Sequence, residues 1–349
     1  MSGYVRFGII GTGVGADFCA RGFSTLTSDE KAKLVAVTSR SEEHAEEFAR
    51  KWGLKLWYTD YMEMLRKADI DAVIINSPHY LHCQMSLDAI ELGKNVLVDK
   101  PIAINLKEAD TMIEAAKRRG VKLGVILQSR FDPIYRRIKK AAEQGIFGRL
   151  ILGDAIVKWY RTQEYYEKNP WRGCWATEGG GALINQAIHT VDLLVWIMGS
   201  PKCLWAQMDT VAHKIDVEDL AIASIRFSNN ALGVVQGSTA IYPGFPTRLE
   251  IHGTAGTAVV EGEMLKKWVI VGQEEESTEQ VKEGLQSWSR PELMPAVNHA
   301  SLIMDFAQAI LEDRSPYVDG EEGRKSLELV KAIYKSSLTN SRVDFPFKE

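Results

Sequence analysis

The residues best suited to chemistry in this chain lie between Glu178 and Asp192, where Gly179-Gly180-Gly181 is followed by Ala182-Leu183-Ile184-Asn185-Gln186-Ala187-Ile188-His189-Thr190-Val191-Asp192. Three glycines in a row leave a flexible approach without side chains, and the apolar spacing after them predicts a helix. On that helix Asn185, His189 and Asp192 stand at i, i+4 and i+7 and share one face. His189 carries an imidazole that titrates near neutrality and so suits general acid–base work. A half-buried packing histidine satisfies the same pattern. A second reactive group is Lys100, in Asp99-Lys100-Pro101, where proline biases the lysine toward extended backbone. An ammonium held beside a reacting oxygen could stabilise alkoxide character; a surface lysine in a turn is the plainer reading.

The elements that must position these groups begin with a short apolar run, Val5 to Ile10, ending at Gly11-Thr12-Gly13-Val14-Gly15-Ala16. This matches G-x-G-x-x-A, a form of the dinucleotide-binding fingerprint. Gly11 permits the tight turn and Gly13 lets backbone approach a pyrophosphate. Val14 opens the helix whose N-terminal amides face the phosphates, and small Ala16 keeps that helix close to the strand. Strand-like and helix-like runs then alternate: Lys33–Thr38, a helix capped by Ser41 and reaching Trp52, the buried run Ala72–Asn76, a helix from about His79 to Gly93, Asn95–Val98, a helix from the capping box Asn105/Glu108 to Gly120, and Lys122–Leu127. This alternation predicts a parallel sheet wound on both faces, an α/β dinucleotide-binding domain over residues 1–128.

Ligands of such sheets lie beyond the carboxyl ends of the strands. The residues placed there are Ser39 and Arg40; Asn76, Ser77 and Pro78; Asp99 and Lys100; and Gln128 and Arg130. An acid after the second strand would bind ribose hydroxyls and repel a 2′-phosphate. Ser39-Arg40 instead offers a hydroxyl and a guanidinium, which favours NADP over NAD. Arg40 stacked on adenine would accept either. His79 and His82 form an HxxH pair with no third ligand of matching spacing, so no metal is expected; packing or cofactor contact suits His82 better.

Beyond residue 128 strand follows strand, with short turn-like connections such as Ser228-Asn229-Asn230. Residues 129–349 are therefore expected to form an α+β domain with a large, mostly antiparallel open sheet, finished by helices near Asn298–Leu311 and Glu321–Ser337. The last helix could pack back on the first domain. An apolar sheet face left uncovered would be a plausible oligomer surface, giving a homo-dimer or tetramer. Tyr160 to Tyr166 and Trp171-Arg172-Gly173-Cys174-Trp175 mix aromatic faces with polar groups, as a sugar ring requires, or as an aromatic loop packed on the core would show.

Composition narrows the function classes. The 349 residues are 45% hydrophobic and 25% charged, with a net charge of −4, so there is no electrostatic case for nucleic acid or an acidic membrane. Four scattered cysteines, Cys19, Cys83, Cys174 and Cys203, suggest neither zinc nor a disulfide framework and fit a cytoplasmic protein. Neither a signal peptide nor an apolar run of membrane-spanning length is evident. The glutamate-rich tract Gly272 to Gly284 reads as a solvated loop.

Taken together, Gly11–Ala16, Asn76-Ser77-Pro78-His79-Tyr80-Leu81-His82, Asp99-Lys100-Pro101 and Gly179–Asp192 resemble the Gfo/Idh/MocA oxidoreductases over nearly the whole chain. Asp99-Lys100-Pro101 is similar to the family's usual Glu-Lys-Pro. The later segment resembles its G-G-G-x-L-x-D-x-x-x-H-x-x-D pattern, with Asn185 where aspartate is usual. The resemblance implies a Rossmann domain binding NAD(P)(H) and reversible hydride transfer between a secondary alcohol of a sugar or cyclitol and nicotinamide. His189 would take the hydroxyl proton and Lys100 would hold the oxygen. Neutral Asn185 orients by hydrogen bonds alone and is expected on a substrate hydroxyl, leaving more charge control to Lys100. Substrate contacts are expected from Lys100, Arg130, Tyr160, Trp171, Arg172, Asn185 and His189. Two other outcomes are a glycosidase of this fold that keeps its NAD, and a non-catalytic dinucleotide sensor.

Overall fold

The computed structural model describes residues 3–27, 31–273 and 296–349. The chain divides into two compact units, Met1–Phe131 with Pro295–Arg324, and Asp132–Met294 with Lys325–Glu349. The first division thus falls after Phe131 rather than residue 128, and a later segment returns to the first unit. Most of the glutamate-rich tract lies outside the described residues.

The first unit holds β1 (Val5–Ile10), α1 (Val14–Ser24), β2 (Ala32–Thr38), α2 (Glu42–Trp52), β3 (Leu56–Tyr58), α3 (Tyr61–Lys67), β4 (Ala72–Ile75), α4 (His82–Glu91), β5 (Asn95–Val98), α5 (Leu106–Arg119) and β6 (Leu123–Val125). All pairings are parallel, in the order β3-β2-β1-β4-β5-β6. Both faces of this sheet are covered, so β4 is buried at every position and reads as a continuous apolar run. The helix starts follow the side-chain chemistry read from the sequence. Ser41 Oγ accepts from His44 N, and Asn105 Oδ1 accepts from Glu108 N while donating its amide to the Glu108 carboxylate. Helix α10 (Val297–Leu311) packs on α1, where a Cβ on Gly22 would come within 3.1 Å of Ala300 N. Phe306 of α10 also stacks obliquely on Phe7 of β1, with ring centres 6.3 Å apart.

The second unit carries α6 (Pro133–Glu143), β7 (Leu150–Lys158), α7 (Gln163–Glu167), α8 (Trp175–Glu178), α9 (Ile188–Met198) and strands β8 (Pro201–Asp209), β9 (Leu220–Phe227), β10 (Leu232–Ser238), β11 (Arg248–Gly253), β12 (Gly256–Glu261) and β13 (Met264–Ile270). The last helix, α11 (Gly320–Thr339), begins in the first unit and continues in this one, and β14 (Val343–Asp344) closes an eight-stranded sheet ordered β13-β12-β11-β7-β10-β9-β8-β14. Every pairing is antiparallel except β7 with β10. Strand β9 shows the one-sided burial that such a sheet produces. Ala221, Ala223, Ile225 and Phe227 are buried, while Ile222, Ser224 and Arg226 point outward.

One expectation is corrected. Trp175–Met198 forms a helical stretch of 24 residues with mean hydropathy 1.3 over its most apolar window, which by length and composition alone could cross a membrane. That window is 83% buried within the fold, as in a core helix.

Candidate active site

In the first unit the glycine-rich turn is shaped by its neighbours. Gly11 has φ +109°, and a Cβ there would lie 2.3 Å from Asn76 O. Gly15, which the motif leaves unspecified, is equally constrained: a Cβ would meet Asp99 Oδ2 at 2.7 Å and Asn76 Nδ2 at 2.9 Å. Gly13 instead faces open space, with nothing within 4 Å of where its Cβ would stand, and α1 starts directly after it. Ala16 is buried beneath, and Val14 is exposed at the helix start. Thr12 Oγ1 donates to Ser39 Oγ at 3.5 Å, which brings the turn to the end of β2; Arg40 is exposed beside it.

The ends of β4 and β5 are tied together in the same region. Asn76 Nδ2 donates to Asp99 Oδ2 at 3.2 Å, and Asp99 Oδ1 accepts from Lys100 N at 2.8 Å. The Lys100–Pro101 peptide is cis, and the lysine is half-buried. Asn76 Oδ1 and Gln128 Oε1 are buried acceptors with no protein partner among the described residues. Two unanswered acceptors beyond the strand ends, an open Gly13 and a helix N-terminus fit a dinucleotide with a carboxamide-bearing ring.

Two residues expected at ligands are engaged inside the first unit instead. His82 is buried with Nδ1 2.8 Å from Pro101 O and Nε2 2.9 Å from Ser77 O, so it braces the two loops. Burial holds its pKa below the usual histidine value. Arg130 is 1% exposed and its guanidinium donates to Glu322 Oε2 at 2.7 Å. A buried guanidinium requires such a partner, so this pair fastens the end of β6 to α11 rather than presenting a charge to substrate.

In the second unit, the triglycine is a packing feature and not a flexible approach. A Cβ on Gly180 would stand 2.3 Å from Tyr334 Oη, and one on Gly181 would stand 2.0 Å from Glu218 O. Glu218 clamps the turn that leads out of the glycines: its Oε2 accepts from Gly181 N at 2.7 Å and its Oε1 from Leu183 N and Tyr334 Oη, both at 2.8 Å. Burial raises the Glu218 carboxyl to about 7 against the opposing pull of these donors. Residues Ala182–Ala187 form a π-helical segment before α9 begins at Ile188. The α-helical spacing assumed for Asn185 and His189 therefore does not hold across this junction.

Asn185 also differs from expectation. Its side-chain amide donates to Glu178 Oε1, and Glu178 Oε2 accepts from Gly173 N. A buried carboxylate thus stands directly behind the neutral residue. His189 is half-buried in the first turn of α9, and Asp192 is buried one turn later. Ahead of them, Arg161 and Arg172 lie 5.5 Å and 4.1 Å from the centre of the Tyr165 ring. Gln186 links this group to the helix, accepting from Arg161 Nη2 at 3.1 Å and donating to Tyr165 Oη at 2.7 Å. Trp171 lies beneath Arg172 at 5.2 Å, whereas the Tyr160 ring packs edge-on against Tyr242 and only its carbonyl joins the group, accepting from Arg161 Nη1 at 3.1 Å. The loop after β8 supports the segment from below: Asp219 accepts from Val211 N, Ala212 N and His213 N, and Trp175 Nε1 donates to Asp216 O. Glu178 and Gln186 lie in the segment singled out from sequence, but nothing in its spacing gives their roles, and partners as distant in sequence as Glu218 and Tyr334 leave no spacing to read.

A parallel sheet in this strand order, with a glycine turn leading into a helix start, has the architecture of a dinucleotide-binding domain, joined in one chain to a mostly antiparallel sheet. Residues 5–127 match the model of an oxidoreductase family with an NAD-binding Rossmann fold, and residues 135–259 match the GFO/IDH/MocA C-terminal domain. Over 263 residues the chain is 30% identical to trans-1,2-dihydrobenzene-1,2-diol dehydrogenase of Danio rerio, covering 74% of this chain and 75% of that one. It is 29% identical over 265 residues to scyllo-inositol 2-dehydrogenase (NAD(+)) of Bacillus subtilis, covering 74% and 75%. In structure it is similar to the WlbA dehydrogenase from Bordetella pertussis, solved in complex with NADH and UDP-GlcNAcA. The TM-score is 0.87 and the identity 28%, over 99% of this chain and all of that one. The chain belongs to the Gfo/Idh/MocA oxidoreductase family.

Proposed function

We propose that this protein transfers a hydride between a secondary alcohol or ketone of a sugar, sugar derivative or cyclitol and nicotinamide, with NADP preferred to NAD. The reading rests chiefly on the glycine turn, where Asn76 closes on Gly11 and Gly15, Gly13 stays open at the start of α1, and Asn76 Oδ1 is a buried acceptor without a protein partner. Bound nicotinamide supplies the hydride acceptor or donor. Lys100 holds the reacting oxygen and stabilises its developing charge, and His189 takes or returns the hydroxyl proton. Asn185, backed by Glu178, orients the substrate. The inositol dehydrogenase and the NADH-bound WlbA dehydrogenase support this substrate class and a nicotinamide cofactor by kinship, while the NADP preference rests on Ser39 and Arg40 alone. Exposed Arg40 beside Ser39 supports the 2′-phosphate preference. The sheet of the second unit is proposed to join copies of the chain.

The test is a screen of neutral sugars, sugar acids and cyclitols with both cofactors, read by nicotinamide absorbance, for the wild type, Lys100→Met and His189→Ala. Turnover is expected to fall about a hundredfold or more in each variant, with cofactor affinity changed little. Wild-type turnover in both variants would remove these roles.

A further inference from the structure

The paired arginines of the second unit have a property that the hydride chemistry does not require. Among the described residues, neither Arg161 nor Arg172 is within ion-pair distance of a carboxylate, although both approach the same Tyr165 ring. Arg161 uses one donor on Tyr160 O and one on Gln186 Oε1, both neutral acceptors, and it lies 4.9 Å from the Trp159 ring as well. Arg172 Nε is buried and has no hydrogen-bond partner in the protein. The carboxylate of this group, Glu178, accepts from Gly173 N and from the Asn185 amide. Two guanidiniums held near each other repel, and the unmet donors of a half-buried arginine cost free energy unless an acceptor arrives. Both costs are offset by one ligand that brings a negative charge and several acceptor atoms.

We propose that Arg161 and Arg172 form a subsite for an oxyanion carried by the substrate, the carboxylate of a sugar acid or the phosphate of a sugar ester. The inference rests on the oxidoreductase reading and narrows its substrate class. A planar guanidinium offers parallel donors that match carboxylate or phosphate oxygens. Cation–π contacts of Arg172 with Tyr165 and Trp171, and of Arg161 with Trp159 and Tyr165, hold both guanidiniums in place before the ligand binds. Burial lowers the pKa of Arg161, in keeping with a cation kept from water and not yet neutralised. Through Gln186 the subsite touches the residue next to Asn185, so an anion seated there would set the sugar ring's register on that segment.

Calorimetric titration of the cofactor-saturated enzyme tests this directly, using D-glucuronate, glucose 6-phosphate and their neutral parent D-glucose. At least one acidic probe should bind about tenfold or more tightly than glucose. Arg161→Gln and Arg172→Gln should each weaken the acidic probe about tenfold more than glucose, and Arg172→Lys should keep part of the preference. The tighter acidic arm tells carboxylate from phosphate. Equal binding of acidic and neutral probes, equal losses for both in the glutamine variants, or no binding of either acid overturns the subsite. The hydride reading fails separately: acidic probes would bind, yet no sugar or cyclitol would change the nicotinamide absorbance.

Discussion

Glu218 shows how one buried side chain can govern the segment that carries the chemistry. Its two oxygens receive three donors, and the one at Oε2 is a backbone N–H that an amide nitrogen could not receive. Glu218→Gln is therefore expected to lower stability by about 1–3 kcal/mol, because one amide hydrogen pair must face a donor. The pH dependence has a definite sign. With a native pKa near 7 and an ordinary unfolded value of 4.5, the native state binds more protons between these values. Stability should fall as pH rises through that window and level off above it, and the glutamine variant should lack this slope; urea midpoints at several pH values measure both. Asn185→Asp places a carboxylate against Glu178, so the variant should lose about 1–3 kcal/mol at alkaline pH and recover as the pair takes up a proton in acid. A stability change independent of pH would contradict the pairing. Arg40→Ala should weaken NADP binding about tenfold or more while NAD changes little, a contrast that equilibrium binding of both cofactors reads.

At the scale of elements, the contrast lies between segments set by local chemistry and segments set by distant partners. The parallel alternation, the Ser41 and Asn105 caps and the long antiparallel strands are legible because periodicity and capping act within a few residues. The π-helical stretch Ala182–Ala187 is not, because Glu218 and Tyr334 receive or meet the amides of Gly181, Leu183 and Ile184 from far along the chain. The same reason explains why α7, α8 and β14 escape a reading by pattern: each is five residues or fewer. His82 and Arg130 stand where ligands usually bind, yet their burial and partners, which sequence does not encode locally, assign them to the frame. Gly180→Ala probes the triglycine. Its added methyl meets Tyr334 at the oxygen and the ring, so a loss of more than about 2 kcal/mol is expected from thermal or urea melts; a neutral effect would show the segment to be loose.

For the whole molecule, the open face of the second unit's sheet is the feature that a lone chain leaves unexplained. Trp205, Ile222 and Leu232 are about half exposed on adjacent strands of that face, at 53%, 50% and 47%. Apolar exposure of this kind marks an association surface, and the proposed partner is a second copy of the chain. The double substitution Trp205→Glu and Ile222→Glu should convert an oligomeric wild type to monomers by light scattering. A monomeric wild type at micromolar concentration would end that proposal. Hydride transfer itself is read most directly by following an isotope. With a polyol deuterated at its carbinol carbon, the wild type should deliver the label to C4 of nicotinamide. Lys100→Met and His189→Ala should do so about a hundredfold or more slowly while still binding cofactor. Absence of label with every sugar, sugar acid and cyclitol tried would rule out hydride transfer to nicotinamide, and undiminished transfer by both variants would rule out the roles of Lys100 and His189.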